Sequence, residues 1–300
     1  MNKIKKILLM TFTIVMIILT FGSCQLVNLD RHISPKSMLP TDSFVKIESH
    51  YTIIKCMDGE CVAIKMGSVS SGSVVKKETH GSYILTTGHS CSPTSLLFGL
   101  NLPKGTKVKQ SNFAIDIDGQ KHKTKIVKID ESVDICILYS ETINKPSIKL
   151  SGKPPVHGNL LYNLAAPAGV FSPHSVPTLE GRYSGLMWGY TMYTIPAIGG
   201  SSGSPILDAK GELVGMIHSV HTRFHHLSFG PSWRETINFI IKHTNHDGAP
   251  DAKEELEIEV KGDVLLKIKL KEVPSEFTWP IKFRKISGPN VIGGVNIFRD

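Results

Sequence analysis

Tyr83-Ile84-Leu85-Thr86-Thr87-Gly88-His89-Ser90-Cys91 is a β-branched, apolar run that stops at a histidine. The run reads as a strand with a turn at its end. Around it, strand signals recur roughly every 8–12 residues with Gly, Asn and Asp between them. They are Tyr51–Ile54, Cys61–Ile64, Ser73–Val75, Phe113–Ile117, Lys125–Ile129 and Ile135–Leu138. Short strands at this spacing predict an all-β barrel or sandwich. Hydrophobic content of 41% and charged content of 20% over 300 residues fit a globular chain and exclude disorder as the default.

Further out, Lys145 to Gly158 is richer in Pro and Gly and marks a domain break, and a second strand series runs from Leu160 to Val220. Ser232-Trp233-Arg234-Glu235 reads as a capping box opening a helix, with Trp233, Ile237, Ile240 and Ile241 on one face. Asn245 to Asp251 is a polar linker. Beyond it, Leu256, Ile258 and Val260, then Leu266, Ile268 and Leu270, then Phe277 and Trp279 alternate as two or three amphipathic strands would. This tail forms a small β appendage, too short for a typical PDZ module.

The N-terminus is a targeting segment. Lys3, Lys5 and Lys6 precede an uncharged apolar stretch, Ile7 to Phe21, shorter than the roughly 20 residues of a bilayer span. Phe21-Gly22-Ser23-Cys24 resembles the lipobox of bacterial lipoprotein signals, with Phe21 where Leu is usual. That resemblance implies a signal peptide over 1–23, a lipidated Cys24 opening a polar leader over 24–44, and membrane attachment through the lipid. An uncleaved signal anchor and a plain secretory signal are the alternatives, and all three put the domain outside the cytoplasm. Formal charge is +8, with three lysines and no acid in residues 1–23. No Lys/Arg run or aromatic-basic interleaving marks a nucleic-acid face.

In Cys56-Met57-Asp58-Gly59-Glu60-Cys61 two cysteines flank an Asp-Gly turn between strand-like runs, so a hairpin disulfide is expected in an oxidising compartment. Zinc would need a second ligand pair that the sequence does not offer. Cys136, inside an apolar run, reads as a buried free thiol, and Cys91 has no assignment.

Three segments carry chemistry. In Gly199-Gly200-Ser201-Ser202-Gly203-Ser204-Pro205-Ile206-Leu207 a serine sits on a glycine-flanked turn, the setting that exposes a nucleophile while backbone N–H groups converge beside it. A flexible Gly/Ser loop is the plain alternative. In Val133-Asp134-Ile135-Cys136-Ile137-Leu138 one carboxylate precedes an apolar strand and needs a partner if buried. His89 would supply it and gain a fixed tautomer. The order is His, Asp, Ser, with separations 134 − 89 = 45 and 202 − 134 = 68.

That conjunction resembles the trypsin-like serine peptidases, most of all their bacterial HtrA-type and glutamyl-endopeptidase branches. There the histidine follows a strand reading like Ile84-Leu85-Thr86-Thr87, the aspartate opens a D-[IL]-[AC]-[IVL]-L run, and the serine lies in G-[NS]-S-G-[GS]-P. Ile115–Gln120 with Lys125–Asp130 resembles the hairpin before the aspartate, Ala166-Pro167-Ala168-Gly169 a turn of the second barrel, and Gly211–Ile217 the strand after the serine. The likeness covers about residues 45–244. It implies two six-stranded antiparallel β-barrels with a C-terminal helix: 45–150 carrying His89 and Asp134, 151–246 carrying Ser202, and 250–300 a small β-rich tail.

The resemblance also implies roles. Ser202 is the nucleophile, His89 its base, Asp134 the group that orients His89, and the Gly200 and Ser202 N–H groups the oxyanion hole. Pro196, six residues before Ser202, falls at the base of the specificity pocket, which disfavours cleavage after Lys or Arg. Glutamyl endopeptidases hold a histidine two residues after the glycine matching Gly215. Here that position is Ile217 and His218 comes one later, a gap that a one-residue bulge would close. Trypsin-like zymogens carry an aspartate at the position of Ser201, so no N-terminal activation cut is expected, and local contacts, such as a Ser201 hydroxyl bond, or substrate binding order the loop. His221, His225 and His226 read as a surface or pocket-rim cluster. No cofactor or metal is expected, and the partners are protein or peptide substrates, with no nucleic acid. The rivals are a catalytically silent envelope adaptor and an esterase of the same chemistry.

Overall fold

The computed structural model describes residues 39–94, 100, 102–245, 250, 252–260 and 295–296. The expected signal segment, Cys24 and most of the leader lie outside the described residues. Among those described, no helix is long and apolar enough to cross a membrane.

Two strands with no polar face organise the fold. They are β3 (Gly81–Thr86) and β6 (Ile135–Ser140), each buried at every residue. Successive side chains of a strand point to opposite faces. Tyr83 and Leu85, with Ile135, Ile137 and Tyr139, therefore join one apolar cluster, while Ile84, Cys136 and Leu138 join another. The second cluster, with Val45, Ile47 and Val74, fills the first barrel. The first also contains Tyr162, Leu164, Leu207, Leu213 and Met216 and is the seam to the second sheet.

The first barrel comprises β1 (Phe44–Met57), β2 (Glu60–Glu78), β3, β4 (Lys107–Ile115), β5 (Lys121–Asp130) and β6, all antiparallel in the order β1-β2-β3-β6-β5-β4. A ladder from Lys46↔Ile115 to Ile54↔Lys107 closes it. The separate signals at Cys61–Ile64 and Ser73–Val75 belong to the single 19-residue strand β2. The second sheet has seven strands where six were expected: β7 (Leu160–Leu164), β8 (Thr178–Met187), β9 (Tyr190–Tyr193), β10 (Pro205–Leu207), β11 (Leu213–Met216), β12 (Ser219–Val220) and β13 (Ser228–Gly230). Their order is β11-β10-β7-β8-β9-β13-β12, around a core of Leu161, Tyr193, Ile195, Ile206, Val214 and Ile217.

One turn of helix, α1 (Gly88–Cys91), follows β3, and α2 (Trp233–Thr244) closes the second unit. The capping box forms: Ser232 Oγ accepts the Glu235 N–H (3.2 Å) and Glu235 Oε2 accepts the Ser232 N–H (2.9 Å). Helix α2 buries Ile237, Phe239 and Ile240, whereas Ile241, assigned to the apolar face, is exposed.

The tail does not begin as a free appendage. Strand β14 (Leu256–Glu259) pairs with β4 from Leu256↔Gln110 to Glu259↔Lys107. β5 covers β4 only over Asn112–Ile115, so the edge at Lys107–Gln110 is open and β14 fills it. Val260 is buried and bonded to both sides, its N–H to Thr106 O (2.9 Å) and its O from the Gly105 N–H (2.8 Å). Lys109 pairs with Glu255 (3.0 Å) and Glu257 (3.3 Å), and Lys123 with Glu254 (2.6 Å). Such exposed pairs are worth under about 1 kcal/mol each, so ladder and burial hold the strand. A short β15 (Val295–Asn296) pairs with β2. The signals at Leu266–Leu270 and at Phe277 and Trp279 lie outside the described residues.

Cys56 and Cys61 form the expected disulfide, opposite each other across the β1–β2 hairpin. Cys136 is not a free thiol but is bonded to Cys91. The β3–β6 register sets Thr86 opposite Cys136, and the single turn α1 folds Cys91 back onto the same barrel interior, where both are fully buried.

Candidate active site

The same register builds the polar site. Thr86 ends β3 three residues before His89, and its partner Cys136 lies two residues after Asp134, so both side chains emerge at one edge of the first barrel. The His89 N–H donates to Asp134 Oδ1 (2.7 Å), and His89 Nδ1 lies 2.8 Å from Asp134 Oδ2. Both carboxylate oxygens thus hold one histidine, fixing its ring. Asp134 adopts φ 55, a left-handed conformation that Asp tolerates better than most residues and that the two bonds sustain. Gly88 leaves room for the carboxylate, since a Cβ there would come within 3.1 Å of Asp134 Oδ1. Burial disfavours protonation of His89, but the Asp134 charge and hydrogen bond outweigh it and raise the imidazole above its ordinary pKa.

The serine loop is held from outside. Gly199 O accepts the Ala168 N–H (2.6 Å). In a trans peptide the carbonyl and the next N–H point in opposite directions, so the Gly200 N–H is aimed away from Ala168. Only glycine fits there: φ is 96, and a Cβ would stand 2.3 Å from Ala166 O. Gly200 O accepts the Ser71 hydroxyl (2.8 Å), and Ser202 O accepts the Ser71 N–H (2.7 Å). The Ser201 N–H donates to Ile198 O (2.9 Å) and its hydroxyl accepts the Ile198 N–H (3.3 Å), a local brace at the position of the zymogen aspartate. Among the described residues, no protein acceptor takes the N–H of Gly200 or of Ser202. The loop therefore has a glycine-flanked, half-buried Ser202 with two unengaged amides around it.

Pro196 precedes Ala197, whose N–H donates to His225 O (2.9 Å), so the 221–227 loop crosses this segment. His221 Nδ1 accepts the Phe224 N–H (3.1 Å) within its own turn. Among the described residues no cluster of His, Cys, Asp or Glu is arranged to hold a metal. His218 packs edge-on against Tyr190 (ring centroids 5.1 Å apart), with its Nε2 buried and unpartnered. Burial lowers its pKa; the Asp134 charge opposes this and His89 adds to it, so His218 lies within electrostatic reach of that pair. The bulge in this region falls at Val214, before Gly215, where Ile206 faces Gly215 and Leu207 faces Leu213. Downstream, Met216 faces Pro205 and Ser219 faces Phe229 in regular register.

Ser71 and Thr86 carried no functional reading in the sequence. The one signal was the run Ser68-Val69-Ser70-Ser71-Gly72-Ser73, small polar residues inside a long strand, of which Ser70, Ser71 and Ser73 are buried.

The two-sheet β fold thus holds a histidine gripped by a carboxylate, and a glycine-flanked serine loop docked on Ser71 of β2, to which Thr86 of the histidine-bearing strand is also bonded. Residues 70–216, a span containing His89, Asp134 and Ser202, match the family model of the trypsin-like peptidase domain. Those residues carry a trypsin-like peptidase domain, and by that domain the chain is a serine endopeptidase. Among solved structures it resembles the HtrA-type protease AlgW with a decapeptide, at 16% identity over 71% of this chain and 68% of that one, TM-score 0.54. It also resembles the active form of the Rv3671c protease from M. tuberculosis, at 15% identity over 73% and 87%, TM-score 0.51. At such identities the likeness is one of fold. No curated protein matches.

Proposed function

We propose that the chain cleaves peptide bonds through an acyl-enzyme on Ser202, at the cell envelope, where a lipid on Cys24 holds it. Ser202 Oγ attacks the scissile carbonyl and His89 takes its proton. Asp134, bound to Nδ1, keeps the tautomer in which Nε2 is the base and stabilises the imidazolium. The negative oxygen is met by the N–H groups of Gly200 and Ser202. On collapse, the imidazolium gives its proton to the leaving amine, and water, activated by the same histidine, then frees the acid.

The observation that carries this reading is the paired hydrogen bonding of His89 to Asp134 beside a serine loop whose two amides are unengaged. AlgW with its decapeptide is a fold relative seen with a peptide, which favours peptide over non-peptide substrates. Pro196 offers no carboxylate to a basic side chain, so cleavage after Lys or Arg is not the expected preference. Half-buried His218, whose buried Nε2 has no protein partner and whose charge burial disfavours, is the candidate for reading the substrate residue on that side.

The test is casein turnover by the soluble protein from residue 30 onward and by its Ser202→Ala form. Turnover should fall to background in the variant, and undiminished turnover refutes the assignment. For the anchor, Cys24→Ala should move the full chain out of the membrane fraction, and unchanged fractionation and mass would remove the lipid from the account.

A further inference from the structure

We propose that Ser71 is a positioning residue for the oxyanion hole, acting through its side-chain hydroxyl; this rests on the serine-peptidase reading above. Ser71 lies in β2 of the first barrel, 129 residues from Gly200 and wholly buried. Four hydrogen bonds meet on it. Its N–H donates to Ser202 O (2.7 Å) and its O accepts Thr86 Oγ1 (2.8 Å). Its hydroxyl donates to Gly200 O (2.8 Å) and accepts the Ala166 N–H (2.9 Å). A hydroxyl has one proton to give and lone pairs to receive, and here both functions are used.

Where these bonds end is what matters. The two amides of the hole belong to the peptides 199–200 and 201–202. Between them lies the Gly200 carbonyl, which the Ser71 hydroxyl grips directly. The first peptide is gripped by Ala168, in a turn whose Ala166 N–H is bonded to the same hydroxyl. Removing that oxygen therefore loosens two supports of the Gly200 N–H at once, one direct and one through the turn. Thr86, three residues before His89, fixes the Ser71 carbonyl, so the histidine strand and the serine loop share this anchor. An oxyanion donor acts only if it is already aimed where charge develops, so play in these supports lowers transition-state stabilisation while leaving ground-state contacts in place.

A purely structural serine would lower stability and leave the chemical step alone. The full-length protein, solubilised in detergent, is therefore compared with Ser71→Ala and Thr86→Val by fluorophosphonate inactivation, resolved into kinact and KI, with thermal unfolding in parallel. Loss of one oxyanion donor costs about 10²–10³ in rate. For Ser71→Ala the expectation is a fall in kinact of about 10- to 100-fold, with KI within about threefold of wild type. Thr86→Val keeps the side-chain volume and removes only the anchor of the Ser71 carbonyl. It should lower kinact by about 3- to 10-fold, the worth of one neutral hydrogen bond. A folded Ser71→Ala with wild-type kinact, or with a change confined to KI, overturns the inference. Should Ser71→Ala not fold, a wild-type kinact in Thr86→Val overturns it. If wild-type labelling itself does not depend on Ser202, the serine-peptidase reading fails and takes this inference with it. Labelling at Ser202 that is indifferent to Ser71 sinks this inference alone.

Discussion

Removing the Cys91–Cys136 bridge should cost the fold about twice as much as removing Cys56–Cys61. The bridges join residues 45 and 5 apart in sequence. On the chain-entropy relation for cross-links, closing loops of those lengths is worth about 4 and about 2 kcal/mol at 25 °C. Burial widens the gap. Cys91 and Cys136 are enclosed in the first barrel, so alanine at both leaves a void costing roughly 1–2 kcal/mol more, while Cys56 and Cys61 are on an exposed hairpin. For a body of this size 1 kcal/mol moves Tm by about 2–4 °C. Scanning calorimetry of the two double-alanine variants should then show Tm lowered by about 8–16 °C or more for Cys91/Cys136 and about 4–8 °C for Cys56/Cys61. Activity should follow the same order, because the larger bridge ties the turn bearing His89 to the strand that follows Asp134. Equal shifts, or a larger one at the hairpin, would refute the reasoning, as would alkylation of Cys91 or Cys136 in the native protein.

Three further outcomes follow from the site and the tail. Because Asp134 raises His89 above the ordinary 6.5, and a general base must be neutral, the acid limb of kcat/KM should have its midpoint above pH 6.5. Asp134→Asn leaves burial as the dominant influence, so the limb should move to lower pH while kcat falls by about 10⁴; a pH–rate profile unchanged in position would be inconsistent with this. Gly200→Ala should fold less stably and lose at least about 10² in kcat, since its Cβ would meet Ala166 O at 2.3 Å and must turn the peptide whose N–H faces the substrate; near-normal kcat would show that the hole lies elsewhere. Ending the chain at residue 250 should lower Tm and raise hydrogen exchange along Lys107–Gln110, the edge β14 covers, and unchanged exchange there would show the strand to be dispensable.

Much of this was legible because local signals and fold agreed. The runs at 83–85 and 135–138 are apolar at every position because both faces of their strands are buried, and the polar residues flanking them, His89 and Asp134, are brought together by a register that those strands fix. Ser232 and Glu235 formed the helix cap that their spacing predicts. What was missed depends on contacts distant in sequence. Cys136 reads in the sequence as a buried thiol because its neighbours are apolar, and only the β3–β6 register and the α1 turn bring Cys91 to it. Strand β2 reads as two pieces because Gly67, Ser68, Ser70, Ser71 and Gly72 weaken the strand signal, yet one of them, Ser71, is where the serine loop docks. The strand pattern at Leu256–Val260 was visible, but its destination follows from β5 leaving β4 half uncovered. Ile241 shares an apolar character with Ile240, and only the packed helix distinguishes the buried residue from the exposed one.

Ser202 acts as the nucleophile, activated by His89 and Asp134, if the proposed function is right. Its most direct test is intact-mass analysis and peptide mapping after reaction with a fluorophosphonate. One adduct per chain is expected, on the peptide containing Ser202, absent from Ser202→Ala and formed more slowly in Asp134→Asn. An adduct on another residue, or one that persists in Ser202→Ala, would contradict it.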